Sequence, residues 1–454
     1  MVYSIIQKSK LEETKRFDAE YYQPEYLAVE KKLNSIKTKT IDEVAESVVN
    51  FGAYSLCNSI QWQDSGIPYL NVQDIKEGYI DLDDTKFISK KVNEILKKSK
   101  VREGQVILTM AGTIGNVAVA HKIPLKVNSN QATAKITFKK DISPYFITAF
   151  LNSYYGRNQI IREIVSSVQP NIFLFQIKNF KIPVASKNKQ NEVEKIYIRG
   201  LDKFKNSKSL YQQAKDLLLD ELKIKNLDLE DKLNYVVKLS EAESLKREDA
   251  EYFQPKYKNL IEHLKKNCNG VLLGDLASIK KGIEPGADAY LDSGKQFIRV
   301  SSMNKYGIND NDQKYLTEDL YNELKEKYEP RIGEILLTKD ASPGIAYVLK
   351  NNIEGIISGG VLRLKLKNKN IEGEYLALCL NSIVGQMHAE RDAGGSIIKH
   401  WKPEQIKNVV IPVLSKQIQQ KISSLVCESF EKRIKAKELL EEAKRKVEEM
   451  IEGN

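Results

Sequence analysis

The stretch DAEYYQPEY at residues 18–26 returns as DAEYFQPKY at residues 249–257. When the preceding residues are included, nine of twelve positions are identical between 15–26 and 246–257. A near-identical stretch of this length, recurring about half a chain length later, indicates that a larger unit has been duplicated.

Three further stretches repeat in the same order, each at a separation of 229 residues. In the first of them two apolar runs flank a turn that contains glycine, which predicts a hairpin of two buried strands. The chain is therefore a tandem duplication, roughly 1–230 and 231–454. The pairs are VREGQVILTMAGTIGNVAV (101–119) with PRIGEILLTKDASPGIAYV (330–348), FLNSYYGR (150–157) with CLNSIVGQ (379–386), and QIKNFKIPV (176–184) with QIKNVVIPV (405–413).

Each copy has the same internal order: the repeated motif, a block of short apolar runs separated by Gly, Asn and Pro, and a long charged segment. This order predicts an α+β fold in which two strand-rich domains are each followed by a helix. The predicted boundaries are a first strand-rich domain at 1–185, its helix at 186–230, a second domain at 231–413 and its helix at 414–454. Two copies of one fold in one chain favour a pseudo-twofold arrangement.

The two charged segments have an apolar repeat of alternating four and three residues, which is typical of a coiled coil. Gly200 and Ser207 weaken this seam in the first segment, and Ser429 and Arg433 interrupt it in the second. We expect the helices to pair antiparallel as a spacer; the alternative is that each helix packs on its own domain. The residues predicted to form the seam or bind a partner are Val193, Tyr197, Phe204, Tyr211, Leu217, Leu218, Ile422, Val426, Leu440 and Val447.

Composition and charge limit the classes of function. The 454 residues carry a formal net charge of +10, which favours polyanionic partners such as nucleic acid. No apolar run approaches the length of a membrane span and the N-terminus lacks a signal-peptide core, so we expect an unprocessed cytoplasmic chain with no membrane contact. The four cysteines and four histidines are scattered, and we predict neither a metal site nor a cofactor.

Motifs for chemistry on DNA are missing. The sequence has no G-x-x-x-x-G-K-[ST] and no G-x-G-x-x-G, and Ser143-Pro144-Tyr145-Phe146 lacks the second proline of an amino-methyltransferase tetrapeptide. The acids of the repeated motif are not a catalytic pair, because residues at i and i+2 do not share a helix face. We interpret that motif as a structural segment entering a helix near Pro24 and near Pro255.

With its repeats in this order, the chain resembles the specificity (S) subunits of type I restriction-modification systems. The resemblance rests on the DAEY motifs, on REGQVILTMAGTIGNVAV with the downstream VNSNQAT, and on RIGEILLTKDASPGIAYV and QIKNVVIPV with the closing helix. It implies two target recognition domains that each read half of a bipartite double-stranded DNA sequence. It also implies a coiled-coil spacer that docks two methyltransferase (M) subunits, with restriction/translocase (R) subunits joining them, while the S subunit itself is non-catalytic.

Base readout requires polar side chains in the loops between strands. Gly112-Thr113-Ile114-Gly115 is replaced by Ala341-Ser342-Pro343-Gly344 in the second copy, so we expect the two domains to read different half-sites. Two rival functions remain: a self-sufficient DNA-modifying enzyme, and a duplicated coiled-coil scaffold that binds proteins without DNA specificity. The candidate DNA-binding residues are Asn58, Gln61, Gln63, Thr113, Asn116, Gln169, Asn171, Lys280, Lys281, Arg299, Ser301, Ser302, Asn304, Lys339, Ser396, Lys399 and Lys402.

Overall fold

A computed structural model describes residues 3–50, 60–165, 170–309, 312–367, 369–395 and 398–453. The chain divides into two compact units, one formed by residues 1–205 with 432–454 and the other by residues 206–431. Each unit combines helices with small sheets. Within the described ranges, every helix is too short or too polar to cross a lipid bilayer.

The first half of the chain contains ten strands and eight helices in the described residues. The strands are β1 (Thr38–Thr40), β2 (Ala45–Val49), β3 (Ile67–Leu70), β4 (Lys86–Ile88), β5 (Lys100–Val101), β6 (Val106–Thr109), β7 (Val117–Val119), β8 (Val127–Ser129), β9 (Thr133–Phe138) and β10 (Lys181–Pro183). The helices are α1 (Lys8–Thr14), α2 (Pro24–Asn34), α3 (Ile41–Val44), α4 (Lys90–Ile95), α5 (Pro144–Asn152), α6 (Tyr154–Arg162), α7 (Leu174–Lys178) and α8 (Lys187–Glu221).

The second half repeats this plan. Its strands are β11 (Gly270–Leu272), β12 (Ala277–Lys281), β13 (Lys295–Ile298), β14 (Met303–Asn304), β15 (Gly307–Ile308), β16 (Lys314–Leu316), β17 (Ile335–Thr338), β18 (Ala346–Val348), β19 (Gly355–Ile357), β20 (Val361–Leu366) and β21 (Val410–Pro412). Its helices are α9 (Leu239–Leu245), α10 (Pro255–Asn267), α11 (Leu273–Leu276), α12 (Glu318–Tyr328), α13 (Gly373–Asn381), α14 (Ile383–Asp392), α15 (Pro403–Lys407) and α16 (Lys416–Glu452).

The predicted hairpins are confirmed in both units. Strand β6 pairs antiparallel with β7, and β17 pairs antiparallel with β18 in the equivalent register. Each hairpin belongs to an antiparallel sheet, β2-β9-β6-β7 in the first unit and β12-β20-β17-β18 in the second. A second sheet in each unit contains one parallel pair, β3 with β8 and β13 with β19. The hairpin strands β6 and β17 are buried throughout, which explains their unbroken apolar runs.

The repeated DAEY motif enters a helix at its proline in both units, as predicted, and it also attaches that helix to a neighbouring one. In the first unit it forms a 3₁₀ turn (Ala19–Tyr22) and α2 then begins at its proline. Arg16 donates two hydrogen bonds of 2.6 Å to Asp18, which lowers the pKa of that carboxyl. The Tyr21 ring lies between two guanidinium carbons, that of Arg16 at 4.6 Å and that of Arg162 at 4.1 Å. The motif therefore attaches the N-terminal segment to the end of α6.

The second unit builds the same attachment from the equivalent residues. Arg247 donates two hydrogen bonds to Asp249, at 2.8 and 2.5 Å. The Tyr252 ring has Arg247 at 4.2 Å and Arg391, at the end of α14, at 5.2 Å. Because these cation–π contacts require Arg and Tyr at fixed positions, the motif recurs with little change.

The long helices α8 and α16 contact each other within each unit, at the positions where their apolar repeats are irregular. In the first unit the small Gly200 packs on Leu440, and the Arg433 guanidinium lies 4.4 Å from the Phe204 ring centre. In the second unit Ser429 donates a 2.6 Å hydrogen bond to the Ser207 carbonyl oxygen. One of these contacts joins an interruption of one helix, Ser429, to a weak position of the other, Ser207.

The seam residues also belong to the cores of the strand-rich blocks. Val193, Tyr197, Leu440 and Val447 share one hydrophobic core with residues of α5, β6 and β9 in the first unit. Tyr211, Leu218, Ile422 and Val426 share another with residues of α13, β17 and β20 in the second unit. Phe204 is buried, and Leu217 is the half-buried member of the predicted set. The alternative prediction, that each helix packs on its own domain, therefore holds only in part. Leu440 and Val447 of α16 lie in the core of the first unit, and Tyr211 and Leu218 of α8 lie in the core of the second.

Candidate nucleic-acid interface

In each unit, the loops that carry predicted DNA-binding residues meet at the turn that follows β6 or β17. In the second unit the backbone N–H of Lys339 donates to the Gly360 carbonyl oxygen at 2.9 Å, and the N–H of Trp401 donates to the Lys339 carbonyl oxygen at 2.8 Å. The N–H of Ala341 donates to the Lys399 carbonyl oxygen at 2.9 Å. These bonds bring together three loops that lie far apart in the sequence.

A fourth loop joins them through a glycine. Gly360 lies against Val300, and a Cβ added at Gly360 would be 2.9 Å from Val300 Cγ2, so a larger residue would have to displace Val300. Val300 begins a 3₁₀ turn flanked by Arg299 and containing Ser301. At the end of β12, the N–H of Gly282 donates to the Val361 carbonyl oxygen at 3.1 Å. The structure therefore places five predicted residues around one turn: Lys281, Arg299, Ser301, Lys339 and Lys399.

The first unit has the same scaffold. The N–H of Met110 donates to the Ala132 carbonyl oxygen at 2.7 Å, and the N–H of Ile172 donates to the Met110 carbonyl oxygen at 3.0 Å. Gly112 lies near Val72, at the position equivalent to Val300. The turn keeps its backbone in both units, because Gly112 and Ala341 are both left-handed, with φ of 72° and 58°. Thr113 and Asn171 flank this turn in the first unit.

Several of the predicted DNA-binding side chains in the second unit form ion pairs or hydrogen bonds within the protein. The Lys339 ammonium group is buried and lies 2.6 Å from Asp340 Oδ2, and His400 Nδ1 lies 2.8 Å from Asp340 Oδ1. Arg299 donates to Asp312 at 2.8 Å. Ser302 is buried, and its hydroxyl accepts a hydrogen bond from the Arg299 N–H, so it shapes the turn. Asn304 accepts a hydrogen bond from the Tyr306 N–H within the β14–β15 hairpin.

Other predicted residues stay exposed or point inward. Gln61, Gln63 and Thr113 are exposed in the first unit. The Asn116 side-chain amide donates a 2.9 Å hydrogen bond to the Ile75 carbonyl oxygen, so it holds two loops together. Lys280, Lys281, Lys399 and Lys402 are exposed in the second unit. Three predictions, Asn58, Gln169 and Ser396, lie outside the described residues.

The two turns present different chemistry. Lys339, Asp340 and His400 form a charged cluster, whereas the equivalent positions in the first unit hold Met110, Ala111 and Asn171. Sequence reasoning missed Asp340 and His400. The adjacency of Asp340 to Lys339 was the available signal, but nothing in the sequence linked either residue to His400, 60 positions later.

A buried ion pair behind the turn also differs. Arg363 donates to both carboxylate oxygens of Glu334, at 2.7 and 3.0 Å. The equivalent of Arg363 in the first unit is Lys135, which is fully buried and donates to the Ser129 hydroxyl at 3.0 Å. Burial lowers the pKa of Lys135 to about 8.

Comparison with known proteins gives consistent results. The family model described as type I restriction modification DNA specificity domain matches residues 34–218 and 265–445. The specificity subunit of the type I restriction enzyme EcoBI from Escherichia coli is 30% identical over 129 residues, a match that spans 28% of this chain and 27% of that relative.

Two solved structures resemble the chain at low identity. The S subunit of a type I restriction-modification system from M. genitalium is 16% identical with a TM-score of 0.42, and the match covers 91% of this chain and 94% of that one. The HsdS subunit from Thermoanaerobacter tengcongensis is 14% identical with a TM-score of 0.30, over 91% and 95% of the two chains.

Proposed function

The chain belongs to the family of type I restriction-modification DNA specificity proteins, and from this premise we propose that it reads an asymmetric bipartite target in double-stranded DNA. One half of the target is read by each unit, at the end where the loops gather around Met110 in the first unit and Lys339 in the second. The observation that carries the proposal is the shared turn scaffold with unlike side chains. One backbone frame that carries two different sets of side chains suits two different half-sites.

We expect equivalent substitutions in the two units to relax different halves of the target. Asn171 and His400 occupy equivalent positions beside the two turns. Asn171→Ala should weaken base selection in one half-site and His400→Ala in the other, by about 1–3 kcal/mol at the affected base pair. Sequencing of methylated sites in cells that carry the chain with its methyltransferase partner measures both. A palindromic motif in the wild type, or the same half-site altered by both variants, would contradict the proposal.

The long helices are proposed to form the antiparallel coiled-coil spacer between half-sites. The support comes from contacts inside each unit: Gly200 packs on Leu440 in the first, and Ser207 pairs with Ser429 in the second. At the repeat distance of 229, the position of Gly200 corresponds to Ser429 and that of Phe204 to Arg433. The proposed organisation keeps recognition domains at 1–185 and 231–413 and spacer segments at 186–230 and 414–454.

Lengthening both helices should lengthen the gap in the target. A seven-residue insertion after Phe204 and a matching one after Arg433 adds about 10 Å, since an α-helix rises 1.5 Å per residue. That length corresponds to about 3 base pairs of duplex. Methylated-site sequencing should then return both original half-sites with a gap longer by about 3 base pairs. An unchanged gap in an assembled, active complex would exclude the helices as the spacer, and an insertion in α8 alone is the control that should impair assembly.

The proposed role is non-catalytic, with chemistry supplied by partner subunits. Two methyltransferase subunits, one for each copy of the repeated unit, suit a duplicated chain, and restriction/translocase subunits join that assembly. The alternative is a duplicated protein-binding scaffold, which predicts no salt-sensitive duplex binding even when the partner subunits are present. A self-sufficient modifying enzyme predicts methyl-donor binding by the isolated chain. Duplex-binding titrations and methyl-donor titrations of the purified chain separate these three functions.

A further inference from the structure

The segment around α4 in the first unit carries a strong local charge. Residues 86–100 contain six lysines and one acidic residue, Glu94. Four of these lysines are exposed on the helix and the 3₁₀ turn that follows it (Lys97–Ser99). These four form what we term the lysine face: Lys90, Lys91, Lys97 and Lys98.

The lysine face is rigidly mounted. The Ser89 hydroxyl caps the start of α4 by accepting a 3.2 Å hydrogen bond from the Val92 N–H. On the inner side, the buried Asn128 side chain donates a 3.0 Å hydrogen bond to Asn93 Oδ1 and accepts one from the Ser99 hydroxyl. These bonds fix the inner face of the helix and turn, so the backbone that carries the lysines is already ordered before a ligand binds.

Polar and aromatic groups lie on β3, on β4 and in the segment that precedes β3. Trp62 is 46% exposed, its ring packs edge-on against Tyr69 at 5.4 Å, and the Lys86 ammonium group lies 4.9 Å from its ring centre. Gln61 and Gln63 flank this tryptophan. Beside the lysine face, Glu94 binds Lys100 at 3.0 Å, which neutralises the charge of that lysine.

The equivalent surface of the second unit is acidic. Helix α12 follows β16 as α4 follows β4, and its cap Thr317 matches Ser89. It carries Glu318, Asp319, Glu323 and Glu326 against Lys325 and Lys327. The duplication therefore kept the helix but reversed its charge.

We infer that the lysine face binds the sugar–phosphate backbone of the DNA duplex next to the half-site read by the first unit, and that the second unit lacks this contact. The inference rests on the proposed function. Lysine ammonium groups are compact charges that neutralise phosphates and release counterions without reading bases. The alternative ligand, an acidic protein surface, is a possible outcome of the test below. The face lies within residues 34–218, which match the DNA specificity domain, and this favours DNA.

The test compares three variants of the full chain with the wild type in duplex-binding titrations at several NaCl concentrations. Replacing the four lysines of the face with Gln should lower the slope of log affinity against log salt by 2 or more, since each phosphate contact contributes about 0.9. Affinity in 0.1 M NaCl should fall at least about tenfold, while the preference for target over non-target duplex stays the same. Glu94→Gln should change affinity in the opposite direction, with a gain of about two- to fivefold.

The matched control is Lys325→Gln with Lys327→Gln on α12, which should leave the slope unchanged. A quadruple variant with the wild-type slope overturns the inference, as does an equal loss in the α12 control. If the four lysines prove necessary for binding an acidic protein but not for binding duplex, the lysine face belongs to a protein partner, and this result also overturns the inference. A wild type that binds no duplex in a salt-dependent way would instead refute the proposed function itself. Circular dichroism of each variant verifies that these exposed substitutions leave the fold intact.

Discussion

Replacing Gly385 with alanine is expected to unfold the second unit under conditions in which the wild type is stable. Gly385 lies in the first turn of α14, where this helix leaves α13 at a sharp corner. A Cβ at this position would lie 2.2 Å from the Leu380 carbonyl oxygen and 2.5 Å from Leu380 Cα. The obstacle is backbone rather than a flexible side chain, so the corner itself must open, and we expect a loss of about 3 kcal/mol or more.

Tryptophan fluorescence can measure the unfolding of the second unit separately from that of the first. The chain has two tryptophans, of which Trp401 is fully buried in the second unit and Trp62 lies in the first. In a Trp62→Phe background, urea titration of Trp401 emission reports the second unit alone. Gly394→Ala is the matched control, because an added Cβ there meets nothing within 4 Å. Its free energy of unfolding should stay within about 0.5 kcal/mol of that of the parent. A Gly385 variant as stable as this control would show that the corner is not tightly packed.

Replacing His388 with glutamine is expected to protect the second unit from acid. His388 is buried on α14 and its Nε2 accepts a 3.3 Å hydrogen bond from the Val410 N–H. Burial, with smaller effects from Arg391 and Lys265, lowers the pKa of this imidazole to about 3. Because the folded pKa lies below the unfolded value of about 6.5, the unfolded chain takes up the proton first as pH falls. Stability is therefore lost progressively from about pH 6.5 down to pH 3.

Glutamine is chosen because the first unit has this residue at the position equivalent to His388. Gln159 occupies the equivalent position, donates to the Lys181 carbonyl oxygen at 3.1 Å and accepts from the Lys181 N–H at 3.0 Å. His388→Gln should match the wild type near pH 7.5 and exceed it by about 3 kcal/mol at pH 4.5. Trp401 emission in urea at both pH values measures this. The reciprocal change, Gln159→His, should make the first unit acid-sensitive; parallel pH profiles for wild type and His388→Gln would exclude the imidazole as the cause.

The sequence alone predicted the parts of the fold that local pattern and repetition encode. The DAEY motif, the hairpin β6–β7 and the helix starts at Pro24 and Pro255 all occur where the sequence places them. Each of these features depends on residues within about twenty positions of one another. Each also occurs in both copies, so a pattern that arose by chance in one copy would be absent from the other. Sequence also indicated that the long helices carry an apolar seam, whose members are buried or half-buried.

The functional assignment of individual polar side chains could not be predicted from the same patterns. Lys339, Asn116 and Ser302 look alike in sequence as polar residues in loops. In the structure Lys339 binds Asp340, Asn116 binds the Ile75 carbonyl oxygen and Ser302 binds within its own turn. A polar group is available to a ligand only when no nearer partner satisfies it, and such partners are positioned by packing.

The amino-acid sequence by itself determined that the chain is one unit written twice, because repetition and hydrophobic period are properties of the order of residues. Only the tertiary structure decided what the departures from that period mean. Gly200 and Ser429, which weaken or interrupt the helical seams when read along the chain, are the small residues at which the helices approach closely. The physical reason is that close approach is set by residues more than two hundred positions apart, and neither sequence neighbourhood carries information about the other.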